Sequence, residues 1–154
     1  MSSEQLIKLD KKQISDLSSP YIDKGVKKDC WEILDVEISG GSLKARLKMT
    51  SFFISPSDPK GFHLTIFATQ EFLAQLANIQ LNVSAGYAIK SRETWMRECT
   101  ITSRSVIRNP DSIMVDMECV SAKRTGDVLI GILKCRVYDD QGGLFTARLK
   151  GYLR

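Results

Sequence analysis

Histidine is nearly absent from this 154-residue sequence, which holds only one, and its four cysteines include no C-x-x-C pair. Zinc sites are built mainly from cysteine and histidine ligands at short spacings, so we expect no metal site. Glycine-rich dinucleotide fingerprints are missing too, and we expect no resident cofactor. Cys119 and Cys135 stand in strand-like runs, which is typical of buried thiols that pack as small apolar side chains.

Charge of one sign and long apolar runs are also scarce. Lysine and arginine total 22 against 18 acidic residues, a net charge of +4 without the clustering of a nucleic-acid footprint. We therefore expect no nucleic-acid partner. No run approaches the length of a membrane span, and "MSSEQLIKLDKKQ" at the N-terminus lacks the apolar core of a signal peptide. We expect a cytoplasmic protein with no membrane span.

What is present is a set of strand-like segments around one apolar helix. Helical spacing over residues 4–17 predicts a short helix within residues 1–19. Gly40 and Gly41 are a hairpin signal between two strands, the second of which alternates apolar and basic residues up to Met49. About four further strands follow a helix that is predicted at residues 64–80.

The helix predicted at residues 64–80 is apolar on almost every side and needs cover all round. Long antiparallel strands can supply that cover by curling around it, which is the hot-dog arrangement of the α+β class. We predict a single hot-dog domain over residues 1–154, and the alternative is a two-layer sandwich with the helix on a flat sheet. Because such a sheet leaves its edges open, we expect a homodimer or higher even oligomer.

A narrow polar stripe interrupts the helix. Glu71, Gln75, Asn78 and Asn82 are spaced at i, i+4, i+7 and i+11, and Ala74 lies beside them. The stripe either faces solvent or lines a pocket. In a pocket, apolar neighbours would raise the pKa of Glu71, which would suit the carboxylate to activating water or moving a proton near neutral pH.

The one histidine stands just before the helix, in "KGFHLT". His63 is either an ordinary polar residue near a loop or an acid–base group. Gly61 and the free N–H groups of the helix start belong to the same segment, and such N–H groups attract negative charge. They can therefore bind a thioester oxygen as it becomes an oxyanion.

Three segments together resemble the FcoT-type long-chain acyl-CoA thioesterase family of the hot-dog superfamily. They are "PYIDKG" at 20–25, "GFHLT…LAQLA" at 61–77 and "YDDQGGLFTARL" at 138–149, and their order and spacing agree across about residues 13–153. The segment "EFLAQ" is also similar to the E-x-x-A-Q motif of β-hydroxyacyl carrier-protein dehydratases, whose catalytic glutamate falls on Glu71.

The resemblance implies a pocket for a fatty acyl-CoA or acyl-carrier-protein thioester. A pocket tyrosine of the family falls on Tyr21. Ser57 stands near the place of a second family tyrosine, and Thr65 stands in place of a family asparagine. The family lacks an obvious helix carboxylate, whereas this chain has Glu71.

Three functions fit these residues. In a thioesterase, Glu71 would activate water or attack directly, the helix-start N–H groups would hold the carbonyl oxygen, and Tyr21 and Gln75 would orient the thioester. In a dehydratase, His63 and Glu71 would share the acid and base work. A non-catalytic acyl-binding protein is the third possibility. The predicted site residues are Glu71, His63 and Tyr21 for catalysis, and Gly61, Thr65, Gln75, Asn78, Ser57 and Ala74 for substrate binding.

Arginines after the helix add one more expectation. Arg97, Arg104 and Arg108 lie on or just past the next strand. They either contact the phosphates of the thiol carrier or form the wet face of that strand.

Overall fold

The computed structural model describes residues 12–13, 17, 22–23, 26–87, 90 and 92–154. Residues 12–13 and 17 are helical, and the rest of the helix predicted within residues 1–19 lies outside the described residues. In the described part of the chain, no helix combines the length and the apolar character needed to cross a membrane. The regular elements are β1 (Ile22–Asp23), β2 (Val26–Lys27), β3 (Cys30–Ser39), β4 (Ser42–Ser51), α1 (Ile66–Ser84), β5 (Thr94–Ser105), β6 (Ile113–Thr125), β7 (Val128–Tyr138) and β8 (Leu144–Leu153).

Six of the strands form one antiparallel sheet in the order β3-β4-β6-β7-β8-β5, and β1 pairs with β2. The strands β6, β7 and β8 are joined by tight turns, whereas β5 follows the helix and pairs with β8 at the far edge. The sheet is curved and unclosed, with α1 packed against it. The predicted hot-dog arrangement is therefore confirmed, and the flat-sheet alternative is not the one adopted.

The alternation seen in β4 decides which side of the sheet faces α1. Leu43, Ala45 and Leu47 are buried, whereas Lys44 and Arg46 point outward and are exposed. Successive side chains of a strand lie on opposite faces, so one apolar row per strand builds the core. The turn before β4 uses Gly40 at φ +59°, as the hairpin signal predicts.

The start of α1 is set by a cap that the sequence prediction overlooked. Thr65 has extended backbone angles, and its Oγ1 accepts a hydrogen bond from the N–H of Ala68 at 3.1 Å. The N–H of Leu64 donates to the carbonyl of Ile107 at 2.9 Å, which ties this segment to the chain after β5. The helix therefore begins two residues later than predicted and continues to Ser84.

Two glycines shape the surface on which the second half of α1 rests. Gly131 and Gly151 are direct partners in the β7–β8 ladder. A Cβ atom at Gly131 would lie 2.3 Å from Leu81 Cδ2, and one at Gly151 would lie 3.2 Å from Leu81 Cδ1. Leu81, which is fully buried, fills the hollow that the two missing side chains leave.

The sheet covers only one side of the helix. The apolar side chains of Phe67, Val83, Ile66 and Ile79 are 71%, 45%, 44% and 36% exposed. The expectation that strands cover the helix all round is therefore wrong for this chain alone, because a six-stranded open sheet reaches only one face of the helix.

Buried groups of two kinds stand out in the core. Gln80 on α1 is fully buried, and within the part of the chain that the structure describes neither its Nε2 nor its Oε1 has a hydrogen-bond partner. Cys135 is buried as expected, and burial raises the pKa of its thiol to about 12. Cys119, which we also expected to be buried, is only half-buried, because it lies near the middle of β6 beside a register shift.

Candidate functional site on the central helix

The polar stripe of α1 runs from solvent into the interior. Glu71 and Gln75 are exposed, Asn78 and Ala74 are half-buried, and Asn82 is 5% exposed. The two readings that the sequence left open therefore apply to different parts of the stripe. Its first half faces outward, and its second half enters the protein.

Glu71 is held by residues from β2 and β3. Lys27 Nζ lies 2.8 Å from Glu71 Oε2 and 3.0 Å from Oε1, and Trp31 Nε1 donates to Oε2 at 3.2 Å. The indole of Trp31 also packs edge-on against Phe72, with ring centroids 6.1 Å apart. The carboxylate is thus fixed in position, while 44% of the Glu71 side chain remains exposed.

The pKa of Glu71 departs from the expectation. Partial burial acts to raise this pKa, but the hydrogen bonds from Lys27 and Trp31 and the charge of Lys27 outweigh it, so the pKa is lowered. The predicted rise is wrong because a cation, rather than apolar side chains alone, lies against the carboxylate. Glu71 is therefore ionised at neutral pH.

A second carboxylate lies at the start of α1. Asp29 is 8% exposed. Its Oδ2 accepts a hydrogen bond from Thr65 Oγ1 at 3.3 Å, and its Oδ1 accepts one from the N–H of Phe53 at 3.4 Å. Negative charge is favourable at a helix N-terminus. The protein therefore places a carboxyl group of its own next to the cap.

Two of the N–H groups predicted to hold an oxyanion already have acceptors. Gly61, at φ +84°, donates to the carbonyl of Asp58 at 3.4 Å, and Leu64 donates to a carbonyl after β5. The first N–H groups of an α-helix have no partner within the helix. Within the described residues the N–H groups of Ile66 and Phe67 have no acceptor, so the candidate donors include the first turn of α1.

His63 belongs to a separate ionic cluster. Its Nδ1 lies 3.0 Å from Asp58 Oδ2, and Arg108 Nη1 lies 3.0 Å from the same oxygen. The hydrogen bond from Arg108 is the main cause that holds the pKa of Asp58 below its usual value. In the same loop Ser57 Oγ lies 2.8 Å from Ser55 Oγ.

Asp139 positions Arg108 for this contact. Asp139 Oδ2 accepts from the N–H groups of Arg108 and Asn109 at 2.7 and 3.0 Å, and Oδ1 accepts from those of Gln141 and Gly143 at 3.0 and 2.7 Å. Burial acts to raise the pKa of Asp139, but these four bonds outweigh it and lower the pKa. The "YDDQGG" segment thus fixes the loop that carries Arg108, which acts as an ion-pair partner.

Two clefts lie on different sides of the sheet. One of about 600 Å³ is lined by residues of five strands that include Lys44, Arg136 and Arg148, and it contains none of the predicted site residues. The other, about 300 Å³, lies beside the second half of α1. It is lined by Gln75, Asn78, Ile79, Asn82, Val83, Tyr87 and Lys90.

The predicted site residues are thus brought together only in part. Gln75 and Asn78 share a cleft, whereas the contacts of Glu71 come from β2 and β3 and those of His63 from the loop before α1 and from Arg108. Tyr21 lies outside the described residues. No sequence pattern pointed to Lys27 or Trp31, which precede Glu71 by 44 and 40 positions.

Solved structures share this fold, although no family model and no curated protein matches the sequence. A conserved protein from Pseudomonas aeruginosa has a TM-score of 0.59 and 10% identity, over 80% of this chain and 88% of its own. A hypothetical thioesterase from Streptococcus pneumoniae, with coenzyme A, has a TM-score of 0.56 and 14% identity, over 81% and 86%. A Streptococcus mutans protein bound to acetyl-CoA has a TM-score of 0.55 and 12% identity, over 81% and 89%. At these identities the likeness shows the fold alone.

Proposed function

We propose that this protein hydrolyses acyl thioesters, with a fatty acyl-CoA or an acyl carrier protein as substrate and Glu71 as the reactive carboxylate. The observation that carries the proposal is the placement of Glu71 on the outward face of the central helix, where Lys27 and Trp31 fix it. A shared fold with a hypothetical thioesterase that holds coenzyme A supports the substrate class.

The chemistry needs an ionised carboxylate. As a general base, Glu71 would take a proton from water while the water oxygen bonds to the carbonyl carbon; the C–S bond then breaks and the thiolate is protonated. As a nucleophile, a Glu71 oxygen would bond to the carbonyl carbon, the C–S bond would break, and the leaving thiolate would take a proton from water. Water would then cleave the mixed anhydride, which releases the fatty acid and restores the Glu71 carboxylate. The lowered pKa of Glu71 keeps the reactive form populated for either route.

The oxyanion donors in this proposal are the N–H groups of Ile66 and Phe67. Phe67 precedes Glu71 by four residues, about 6 Å along the axis, so a carbonyl oxygen bound at the first turn would leave its carbon near the carboxylate. Thr65 fixes the first turn by capping it. Gly61 shapes the preceding loop through its positive φ.

The other predicted residues take positioning roles in the proposal. Gln75 follows Glu71 by one turn and would orient the thioester, with Ala74 leaving room beside it. Ser57, in the loop before α1, would contact the substrate. Tyr21, which lies outside the described residues, would also orient the thioester, as the resemblance implies.

Dehydration needs His63 and Glu71 to act on one substrate. The two side chains belong to separate clusters, His63 with Asp58 in the loop before α1 and Glu71 with Lys27 of β2. Incubation of the protein with an acyl thioester separates the two reactions. Hydrolysis releases free thiol, whereas dehydration leaves the thioester intact and lowers its mass by one water.

We further propose that two chains pair along β5 to form a homodimer. β5 is an edge strand with β8 on one side, and the uncovered apolar face of α1 adds surface that favours burial. Light scattering at micromolar concentration should give about twice the 17.3 kDa chain mass. A mass of one chain would contradict this assembly.

The resemblance to the FcoT-type family leads us to propose long fatty acyl chains as the preferred substrates. A panel of acyl-CoA thioesters of increasing chain length, together with acyl carrier proteins, should show release of free thiol that rises with chain length. Equal or falling rates with chain length would contradict this preference.

The decisive variant is Glu71→Gln. It keeps the shape of the side chain and removes the charge, so we expect hydrolysis to fall on the order of 100- to 10,000-fold with the melting temperature nearly unchanged. Glu32→Gln is the matched control, because Glu32 is also an exposed glutamate paired with a lysine, at 3.2 Å. Full activity in Glu71→Gln would refute the assignment, as would an equal loss in Glu32→Gln.

A further inference from the structure

The outer face of the sheet, on the side away from α1, carries the larger of the two clefts. This outer cleft has a volume of about 600 Å³ and is lined by residues of five strands. Its centre lies on β7 and β8, where Cys135 and Ala147 are buried and their neighbours on either side point outward. The helix and Glu71 lie on the other side of the sheet, so the outer cleft is separate from the candidate site.

Four outward residues of β7 and β8 form a rectangle at the centre of the outer cleft. Lys134 and Arg148 are direct partners in the ladder, and so are Arg136 and Thr146. Neighbouring strands are about 4.8 Å apart, and alternate residues of one strand are about 7 Å apart. Three cations therefore stand at three corners of a small rectangle, with a hydroxyl group at the fourth. Like charges directly opposite each other destabilise a sheet, so an anion bound at this place would relieve a repulsion.

The neighbouring carboxylates pair only loosely with the two arginines. Arg148 Nη1 lies 3.9 Å from Glu98 Oε2, and Glu98 also pairs with Lys150 at 3.5 Å. Arg136 Nη1 lies 4.0 Å from Asp116 Oδ2. Both distances to the arginines exceed the roughly 3.2 Å of a hydrogen bond. The donor groups of the two guanidinium ions are therefore open to a closer acceptor.

Further donors without partners line the outer cleft. Lys134 is the ladder partner of Glu118, yet its ammonium group forms no ion pair with any described residue. Thr100, Thr102 and Thr146 also line the cleft, and no described group is hydrogen-bonded to their hydroxyl groups. These threonines lie on β5 and β8, so they supply neutral donors on the side of the rectangle away from the acidic residues of β6.

We propose that the outer cleft binds the phosphate group of a small phosphorylated molecule, held by Lys134, Arg136 and Arg148, with the Thr146 hydroxyl as a further donor. A phosphate dianion fits these groups because it presents several acceptor oxygens around one compact centre, and the planar fork of an arginine can pair with two of them. The remaining volume of the cleft holds the organic part of the ligand. The inference is independent of the proposed function, because Glu71 lies on the other side of the sheet.

Two probes test this site: inorganic pyrophosphate, which has no organic part, and glycerol 3-phosphate, which is a phosphate ester. Titration calorimetry measures the affinity of each probe, and ¹H–¹⁵N NMR spectra locate the binding. We expect saturable binding with the largest amide shifts at residues 134–136 and 146–148. The tighter probe shows whether free phosphates or phosphate esters are the source of the bound group.

Arg148→Gln removes one corner of the rectangle and should weaken binding of the tighter probe about tenfold or more. Arg46→Gln is the matched control, because Arg46 is also exposed on the outer face and pairs with Asp35 at 3.0 Å, but does not line the cleft. Both variants lower the net charge by one, so a general attraction of anions to the protein would respond equally to both. Thr146→Val keeps the shape of the side chain, removes the hydroxyl group and should also weaken binding, while its melting temperature reports on the fold.

Three results would overturn the inference. The first is no saturable binding of either probe at millimolar concentration. The second is an equal loss of affinity in Arg148→Gln and Arg46→Gln, which would show an unspecific attraction. The third is a lower assembly mass for Arg148→Gln in light scattering, because the outer faces of two copies would then cover the cleft. None of these measurements involves hydrolysis, so such a result would leave the assignment of Glu71 unchanged.

Discussion

Replacing Gln80 with methionine should stabilise the protein. Gln80 is fully buried on α1, and among the described residues neither of its side-chain polar atoms has a hydrogen-bond partner. A buried polar group without a hydrogen bond costs about 1–3 kcal/mol, and methionine has nearly the same length with no group that needs a partner. We expect Gln80→Met to raise the free energy of unfolding by about 1–3 kcal/mol. For a chain of this size that corresponds to roughly 3–9 °C in melting temperature.

Urea unfolding followed by circular dichroism measures this change, with thermal unfolding as the second readout. Gln70→Met is the control, because Gln70 lies on the same helix in an exposed position and its replacement should change stability by less than about 0.5 kcal/mol. A loss of stability in Gln80→Met would refute the reasoning, since it would show that Gln80 has partners in solution.

Two further predictions concern Glu71 and the glycine hollow. Lys27→Met removes the cation that lowers the pKa of Glu71, so this pKa should rise and the acid limb of the rate–pH profile should move to higher pH. Lys48→Met, which breaks the exposed pair with Glu32, should leave the profile in place. Gly131→Ala puts a Cβ 2.3 Å from Leu81 and should cost about 1–3 kcal/mol in urea unfolding. If Gly131→Ala cost as much stability in a Leu81→Ala background as in the wild-type chain, the contact with Leu81 would not be the cause of the loss.

The elements were predictable because local patterns determine them. Leu43 to Met49 alternate in polarity, Gly40 and Gly41 form a turn, and the sole long apolar segment without alternation becomes α1. The surroundings of Glu71 were not predictable in the same way. Its pKa depends on Lys27 and Trp31, which come from distant positions in the chain and reach Glu71 only after folding. No periodicity in α1 contains that information.

The apolar composition of α1 does not predict which of its side chains the sheet buries. Helical periodicity shows that Leu73 and Phe67 are both apolar, but it does not show that the sheet covers Leu73 fully while Phe67 remains 71% exposed. The difference depends on how far six strands reach around a helix. The number of apolar residues therefore predicted a central helix, but it overestimated how much of the helix surface the sheet buries.

The hollow at Gly131 and Gly151 affects how α1 is rotated on the sheet, and therefore where the side chains of the candidate site point. On an α-helix each residue turns by about 100°, so a shift of α1 by one residue would swing every side chain by that angle and move it about 1.5 Å. Leu81 packs where two adjacent strands both lack a Cβ, so a side chain at either glycine would press on it. The two glycines therefore help to position the helix that carries Glu71 ten residues away, while Lys27 and Trp31 hold its carboxylate. Enlarging either glycine should disturb the site without touching it.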